Sequence, residues 1–172
     1  MFKIESVLIE ETRGIRKLEI FPKKNNFSIS GPNGSGKSGV VDAIEFGLTG
    51  DIKRLAGSGT KGLSVLTHGP HVDKVDEPDT AVVRMNLYLT KLGKSVQISR
   101  CIKTPKIVDI QPDEPDILKT VNEIARHPEI TLARRDIIRF ILVGPAERSK
   151  DCLLYTSPSP RDRTRSRMPS SA

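Results

Sequence analysis

"FSISGPNGSGKSGVVDAIEFGLTG", Phe27 to Gly50, runs from an apolar alternation through a glycine-rich turn into a helical pattern. Inside it, Gly31-Pro32-Asn33-Gly34-Ser35-Gly36-Lys37-Ser38 fits G-x-x-x-x-G-K-[ST]. That pattern has physical causes. Wrapping backbone around a compact polyanion requires torsions and close approaches that a Cβ obstructs, hence the glycines. Successive amides then point inward, and the helix that follows adds its unpaired amino-terminal N–H groups. Lys37 supplies a full positive charge for the β- and γ-phosphates, and Ser38 offers a hydroxyl to Mg²⁺. Four fixed positions arise by chance in roughly one chain in two hundred of this length. A strand before the motif and an amphipathic helix after it sharpen the match, so the stretch predicts a nucleoside triphosphate site with Mg²⁺. Its residues are Pro32, Asn33, Gly34, Ser35, Gly36, Lys37, Ser38 and Gly39, with Ser38 as the metal ligand.

Outward from this stretch, Phe2 to Glu10 alternates and reads as a strand, "GIRKLEIFP" as a second ended by Pro22, and Phe27 to Ser30 as a third. The helix is expected from Lys37 to about Leu48, with Val40, Val41, Ile44 and Leu48 on one face and Gly50 as its stop. Asp51 to Asp79 is polar, rich in Gly and Pro, and reads as a long loop. "TAVVRMNLYLT" and "KSVQISRCIK", joined by Lys91-Leu92-Gly93, predict an antiparallel hairpin with Val82, Val83, Val96 and Ile98 in the core. "KIVDIQP" adds a short strand. Pro115 opens a helix with Ile117, Leu118, Val121 and Ile124 on one face, ending near His127-Pro128. "RRDIIRFILVG" is a short amphipathic helix, and Pro145 starts another.

The chain of 172 residues is one ordinary domain by size, and its net charge of +7 invites a nucleic-acid reading. The charge is unevenly placed. "CLLYTSPSPRDRTRSRMPSSA", Cys152 to Ala172, has no apolar period. It resembles a translated sequencing-library adapter: "CLLYTSPSPRD" and "SRMPSSA" match its two ends, with Arg163 to Arg165 in the index position. Residues 152–172 are therefore expected to be a non-native, disordered tail, and residues 1–151 the lobe of interest. The tail holds four Arg and one Asp, which leaves residues 1–151 at a mild +4. Cys101 then stands without a disulfide partner and reads as a buried thiol. No signal peptide or membrane span is evident, so a cytoplasmic location is expected.

Taken together, "VLIEETRGIRKLEIFPKKNNFSISGPNGSGKSGVVDAIEFGLTG" resembles the N-terminal lobe of the SMC, SbcC and RecF group of ABC-type, AAA-family ATPases. Those open with two antiparallel strands and an aromatic-Arg-x turn, then "GPNGSGKS(S/T)(L/I)xDAIxFxLxG". Here the turn is Thr12-Arg13-Gly14, so the resemblance assigns Arg13 to the nucleotide phosphates, with Thr12 standing where the aromatic is usual. "LARRDIIRFILVGPAERSKD", Leu132 to Asp151, is similar to the glutamine-loop segment of SbcC-like proteins, with Phe140, Pro145, Glu147 and Arg148 in register. Arg134 occupies the glutamine's place and cannot ligate Mg²⁺.

The resemblance implies an α/β P-loop NTPase lobe of the ABC/SMC head type, with an antiparallel β subdomain and an incomplete sheet. It also implies a parent ATPase whose heads dimerise through ATP and act on DNA in repair, maintenance or defence. An apolar strand ending in Asp-Glu and an "LSGGQ"-type signature are both missing, so the catalytic residues are expected in a C-terminal lobe beyond a coiled coil, and this fragment is expected to lack turnover. Two other readings stay open: a nucleotide-gated structural DNA tether with degraded hydrolysis, and a transporter-type ABC lobe. GTPase motifs are absent. His68, His71 and Asp73 have near-ligand spacing, yet loop hydrogen bonding is the better expectation. Lys53, Arg54 and Lys61 form either a DNA-facing loop or a solvated one.

Overall fold

A computed structural model describes residues 2–56, 63–126, 138, 141, 142 and 144. Residues 1–127 form one compact unit and 128–172 a second; the first carries the elements that follow. They are β1 (Phe2–Thr12), β2 (Ile15–Ile20), α1 (Lys37–Thr49), α2 (Lys53–Ala56), α3 (Val65–His68), a 3₁₀ turn (Val72–Lys74), β3 (Val82–Leu89), β4 (Lys94–Cys101), β5 (Asp109–Gln111) and α4 (Pro115–Ala125). The strands form one antiparallel sheet in the order β2-β1-β3-β4-β5. No helix among the described residues is long and apolar enough to cross a membrane.

The period-2 pattern decides which face of the sheet is covered. Val7 and Ile9 of β1, Val83, Met85, Leu87 and Leu89 of β3, and Val96 and Ile98 of β4 are all buried. Each such side chain contributes about 2 kcal/mol of hydrophobic stabilisation. The opposite face carries polar cross-strand pairs: Arg84 ion-pairs with Glu10, and the Asn86 amide donates to the Ser6 hydroxyl. Val82 lies on this second face, opposite Cys101, and is only half-buried, which corrects its expected place in the core. The same register corrects Cys101. Inward positions on β4 run Val96, Ile98, Arg100, so the thiol points away and is partly exposed.

Arg100 is 4% exposed. Its Nε donates to the Gly47 carbonyl (3.3 Å) and its Nη1 to the Pro105 carbonyl (2.8 Å). Gly47 lies in the last turn of α1, where carbonyls lack helical partners and the dipole is negative. Burial lowers the Arg100 pKa, but a guanidinium stays charged, and here it clamps the helix end.

α1 lies against the buried face of the sheet because Gly47 brings no side chain: a Cβ there would sit 2.7 Å from the Met85 methyl. Val40, Ala43, Phe46 and Leu48 are buried, while Val41 is 48% exposed and Ile44 half-buried, so Val41 leaves the expected stripe. The reason is rotational: contact through Gly47 turns the 40, 43, 47 face to the sheet and swings Val41 outward. Gly50 ends the helix at φ 78°, its amide donating to the Phe46 carbonyl. α4 covers the core beside α1 through Ile117, Val121 and Ile124, with Leu118 half-buried.

The expected strand Phe27–Ser30 does not form. Its residues pair with no other strand among those described, and Phe27 and Ile29 are about two-fifths exposed. A strand exists only through its ladder, and the sheet of this unit already ends at β2 and β5. The region 51–79 is shorter in true loop than expected, holding α2, α3 and the 3₁₀ turn. Ser64 caps α3, its hydroxyl accepting from the Thr67 amide. The second helical pattern, from Arg134 to Gly144, and the helix at Pro145 lie largely outside the described residues, as do Lys61, Glu147 and Arg148.

Gly50 tests how α1 is stopped. A Cβ there would meet the Pro105 carbonyl oxygen at 2.2 Å in a left-handed conformation, so Gly50→Ala should destabilise the chain by about 2 kcal/mol or more in urea titrations. Gly14→Ala, where a Cβ meets nothing within 4 Å, should change stability by less than about 0.5 kcal/mol.

Candidate phosphate-binding loop

The turn before α1 owes its path to three glycines at positive φ: Gly31 (157°), Gly34 (84°) and Gly36 (84°). A Cβ at Gly31 would also press on the Ser35 hydroxyl at 3.0 Å. The loop is tightened by the Ser35 amide donating to the Pro32 carbonyl (3.4 Å). Pro32, Asn33, Gly34 and Ser35 are exposed, and Gly36 takes the N-cap position of α1 in the left-handed conformation.

Among the described residues no side chain caps this helix end. Gly36 offers no side-chain cap, and the first turn holds no acid. The first helical bond runs from the Val40 amide to the Gly36 carbonyl (3.1 Å), so the amides of Lys37, Ser38 and Gly39 precede the ladder. The Lys37 ammonium folds over the loop, its Nζ donating to the carbonyls of Gly31 (2.8 Å) and Pro32 (2.6 Å) and lying 3.4 Å from the Ser35 hydroxyl. One full charge and a positive helix end thus converge on the same turn. Ser38 is exposed in the first turn. This donor set fits a polyphosphate and its Mg²⁺.

Arg13 reaches the same place from the sheet. The β1–β2 connection has two residues, Arg13 and Gly14, between the paired Thr12 and Ile15, and Arg13 takes φ 58°. Its amide donates to the Gly69 carbonyl (2.7 Å), its Nη1 to the His68 carbonyl (2.9 Å), and its Nε to Oδ2 of Asp42 on α1 (3.1 Å). Arg13 and Gly14 line a cavity of about 410 Å³ with Gly36, Gly39, Thr67, His68, Pro70, Val72 and Val75. Arg13, Gly36 and Gly39 are therefore brought together there, whereas Pro32 to Ser35, Lys37 and Ser38 do not line it. The cavity's other wall, from α3 and the 3₁₀ turn, carried no sequence signal beyond the two histidines.

Those histidines are occupied locally. His68 Nδ1 lies 2.7 Å from the Thr67 hydroxyl, and His71 Nδ1 accepts from the Asp73 amide (3.2 Å). Among the described residues no cluster of His, Cys, Asp and Glu is arranged to hold a metal. Lys53 and Arg54 turn toward carboxylates on α1: the Lys53 amide donates to Glu45 (3.2 Å), and Arg54 Nη1 lies 3.5 Å from Asp42.

With this geometry in view, comparison with known proteins is decisive. The AAA domain family matches residues 6–156. The chain belongs to the AAA domain family. It is 29% identical over 165 residues to the chromosome partition protein Smc of Methanocaldococcus jannaschii, covering 87% of this chain and 14% of that one. It is 31% identical over 104 residues to the human structural maintenance of chromosomes protein 1B, covering 60% of this chain and 8% of that one. The match is that of an SMC-like AAA domain, with the α/β P-loop lobe and incomplete sheet expected. The chain spans well under a fifth of the length of these relatives.

Asp42 provides a test of the site's electrostatics. Burial raises its pKa above 3.8, outweighing the lowering effects of Arg54 and Arg13. A folded pKa above the unfolded one means that the carboxyl's stabilising contribution is complete below the unfolded value and lost as pH rises through the folded value. Asp42→Asn should therefore gain melting temperature relative to the unaltered chain as pH rises from about 3.8 toward neutrality. A pH-independent difference in paired thermal scans would count against burial as the governing cause.

Proposed function

We propose that this chain is the ATP-binding N-terminal lobe of an SMC/SbcC/RecF-like ATPase that works on DNA in the cytoplasm. The observation that carries the reading is the convergence of the Lys37 ammonium and the uncapped amino end of α1 on the Gly31–Gly36 turn. In this reading Gly34, Ser35, Gly36, Lys37, Ser38 and Gly39 hold the phosphates, with Pro32 and Asn33 shaping the loop. Ser38 ligates Mg²⁺, and Arg13 approaches the phosphates from the sheet. The cavity walled by Pro70, Val72 and Val75 offers an apolar surface to the nucleoside.

When bound, Mg²⁺ neutralises phosphate charge and orients the oxygens. This lobe's own residues bind and orient; none of those described is placed as the base that activates water. That role, with the signature that closes over a partner's ATP, is assigned to the parent's C-terminal lobe. The unpaired, apolar Phe27–Ser30 segment is the natural edge for that lobe's strands. Two such heads would dimerise through ATP and release on hydrolysis. Arg134 in the glutamine position favours slow or altered hydrolysis, which keeps the nucleotide-gated tether as the second reading.

Isothermal titration of the chain with Mg-ATP should give weak binding, with Kd on the order of 10 μM to 1 mM. Lys37→Ala should weaken it by at least about tenfold. Ser38→Ala should reduce the gain in affinity from Mg²⁺ while sparing metal-free binding, and phosphate release should stay at background. Absence of any heat with the unaltered chain, or hydrolysis at an enzyme-like rate, would overturn this assignment.

A further inference from the structure

Asp42 is an odd residue to find where it is. A carboxylate inside a helix, 2% exposed, has poor helix propensity and a desolvation cost. Its surroundings show what it holds. Arg13 is fixed from two elements: the end of α3 holds its amide through the Gly69 carbonyl and its Nη1 through the His68 carbonyl, and α1 holds its Nε through Asp42. Only 22% of its side chain is exposed. Arg54 shares the same Asp42 oxygen at 3.5 Å, so the carboxylate sits between two guanidinium groups. The Arg13 side chain passes along the first turn of α1, with its Cβ 3.5 Å from where a Gly39 Cβ would be.

We propose that Asp42 is a positioning residue: its buried carboxylate fixes the Arg13 guanidinium at the head of α1 and thereby sets how tightly that arginine meets the phosphates of a bound nucleotide. This rests on the nucleotide reading above and adds a residue to it. The physical gain is pre-organisation. A free arginine loses much rotamer entropy when it engages an anion, whereas one already held by a planar carboxylate loses little. Burial raises the Asp42 pKa above its ordinary value, so the fold opposes the ionisation that pairing with Arg13 uses.

A double-mutant cycle on the full chain, read as affinity for a fluorescent Mg-ATP analogue, tests this. Arg13→Ala should weaken binding about tenfold and Asp42→Asn about three- to tenfold. The double variant should bind no worse than Arg13→Ala alone, and Asp42→Asn should melt no lower than the unaltered chain near neutral pH. Should Asp42→Asn fail to fold, Arg13→Lys serves. It keeps the charge but lacks the guanidinium fork, and it should lose nearly as much affinity as Arg13→Ala. Additive losses in the cycle, an Asp42→Asn variant that binds like the unaltered chain, or an Arg13→Lys variant that does so, each overturns the inference while leaving the nucleotide site intact. No binding by the unaltered chain removes the nucleotide reading itself, and this inference with it.

Discussion

A helix that offers its amino end to an anion must be held firmly elsewhere, and in this lobe the holding point is a buried cation. Arg100 reaches under the last turn of α1 and satisfies Gly47 and Pro105 carbonyls. Gly47 lets the helix settle onto β3, and Gly50 turns the chain away immediately after. The position of the Gly31–Gly36 turn relative to the sheet follows from these contacts. With the far end fixed, the near end can stay uncapped, keeping its first-turn amides for a ligand.

The middle of α1 is governed by charge. Asp42 and Glu45 face inward from the helix and draw Arg13, Arg54 and Lys53 toward it. The β1–β2 turn and α2 are thereby gathered around one helix. Such arrangements tolerate burial of charge only because partners are supplied from several elements at once.

Much of this was legible in the sequence, and the reasons are uneven. The loop motif announces itself because glycine, lysine and serine at fixed offsets have few other uses, and β3, β4 and α4 declare themselves by period. Arg13 was found by resemblance alone, since an arginine in a turn has no intrinsic signature. Phe27–Ser30 looked like a strand because its alternation is that of a strand, but pairing is a property of neighbours and no local pattern encodes it. Arg100 was missed for a related reason: a cation in an apolar alternation reads as an outward position unless the carbonyls that receive it are known. Cys101 was consequently placed on the wrong side of the sheet. The wall formed by Pro70, Val72 and Val75 was invisible because it meets Arg13 only through long-range folding, and Asp42, although it falls in the quoted pattern, gave no sign of its partner.

The two-residue connection between β1 and β2 has a mechanical consequence. Arg13 rides on a hairpin whose long strand, β1, is shared with β2 and β3, while Asp42 belongs to the helix. Sheet and helix thus grip opposite jaws of one small gap, and any shear between them alters its width directly. A displacement of β1 relative to α1 would therefore be felt in the 3.1 Å contact between Arg13 Nε and Asp42 Oδ2 that bridges them.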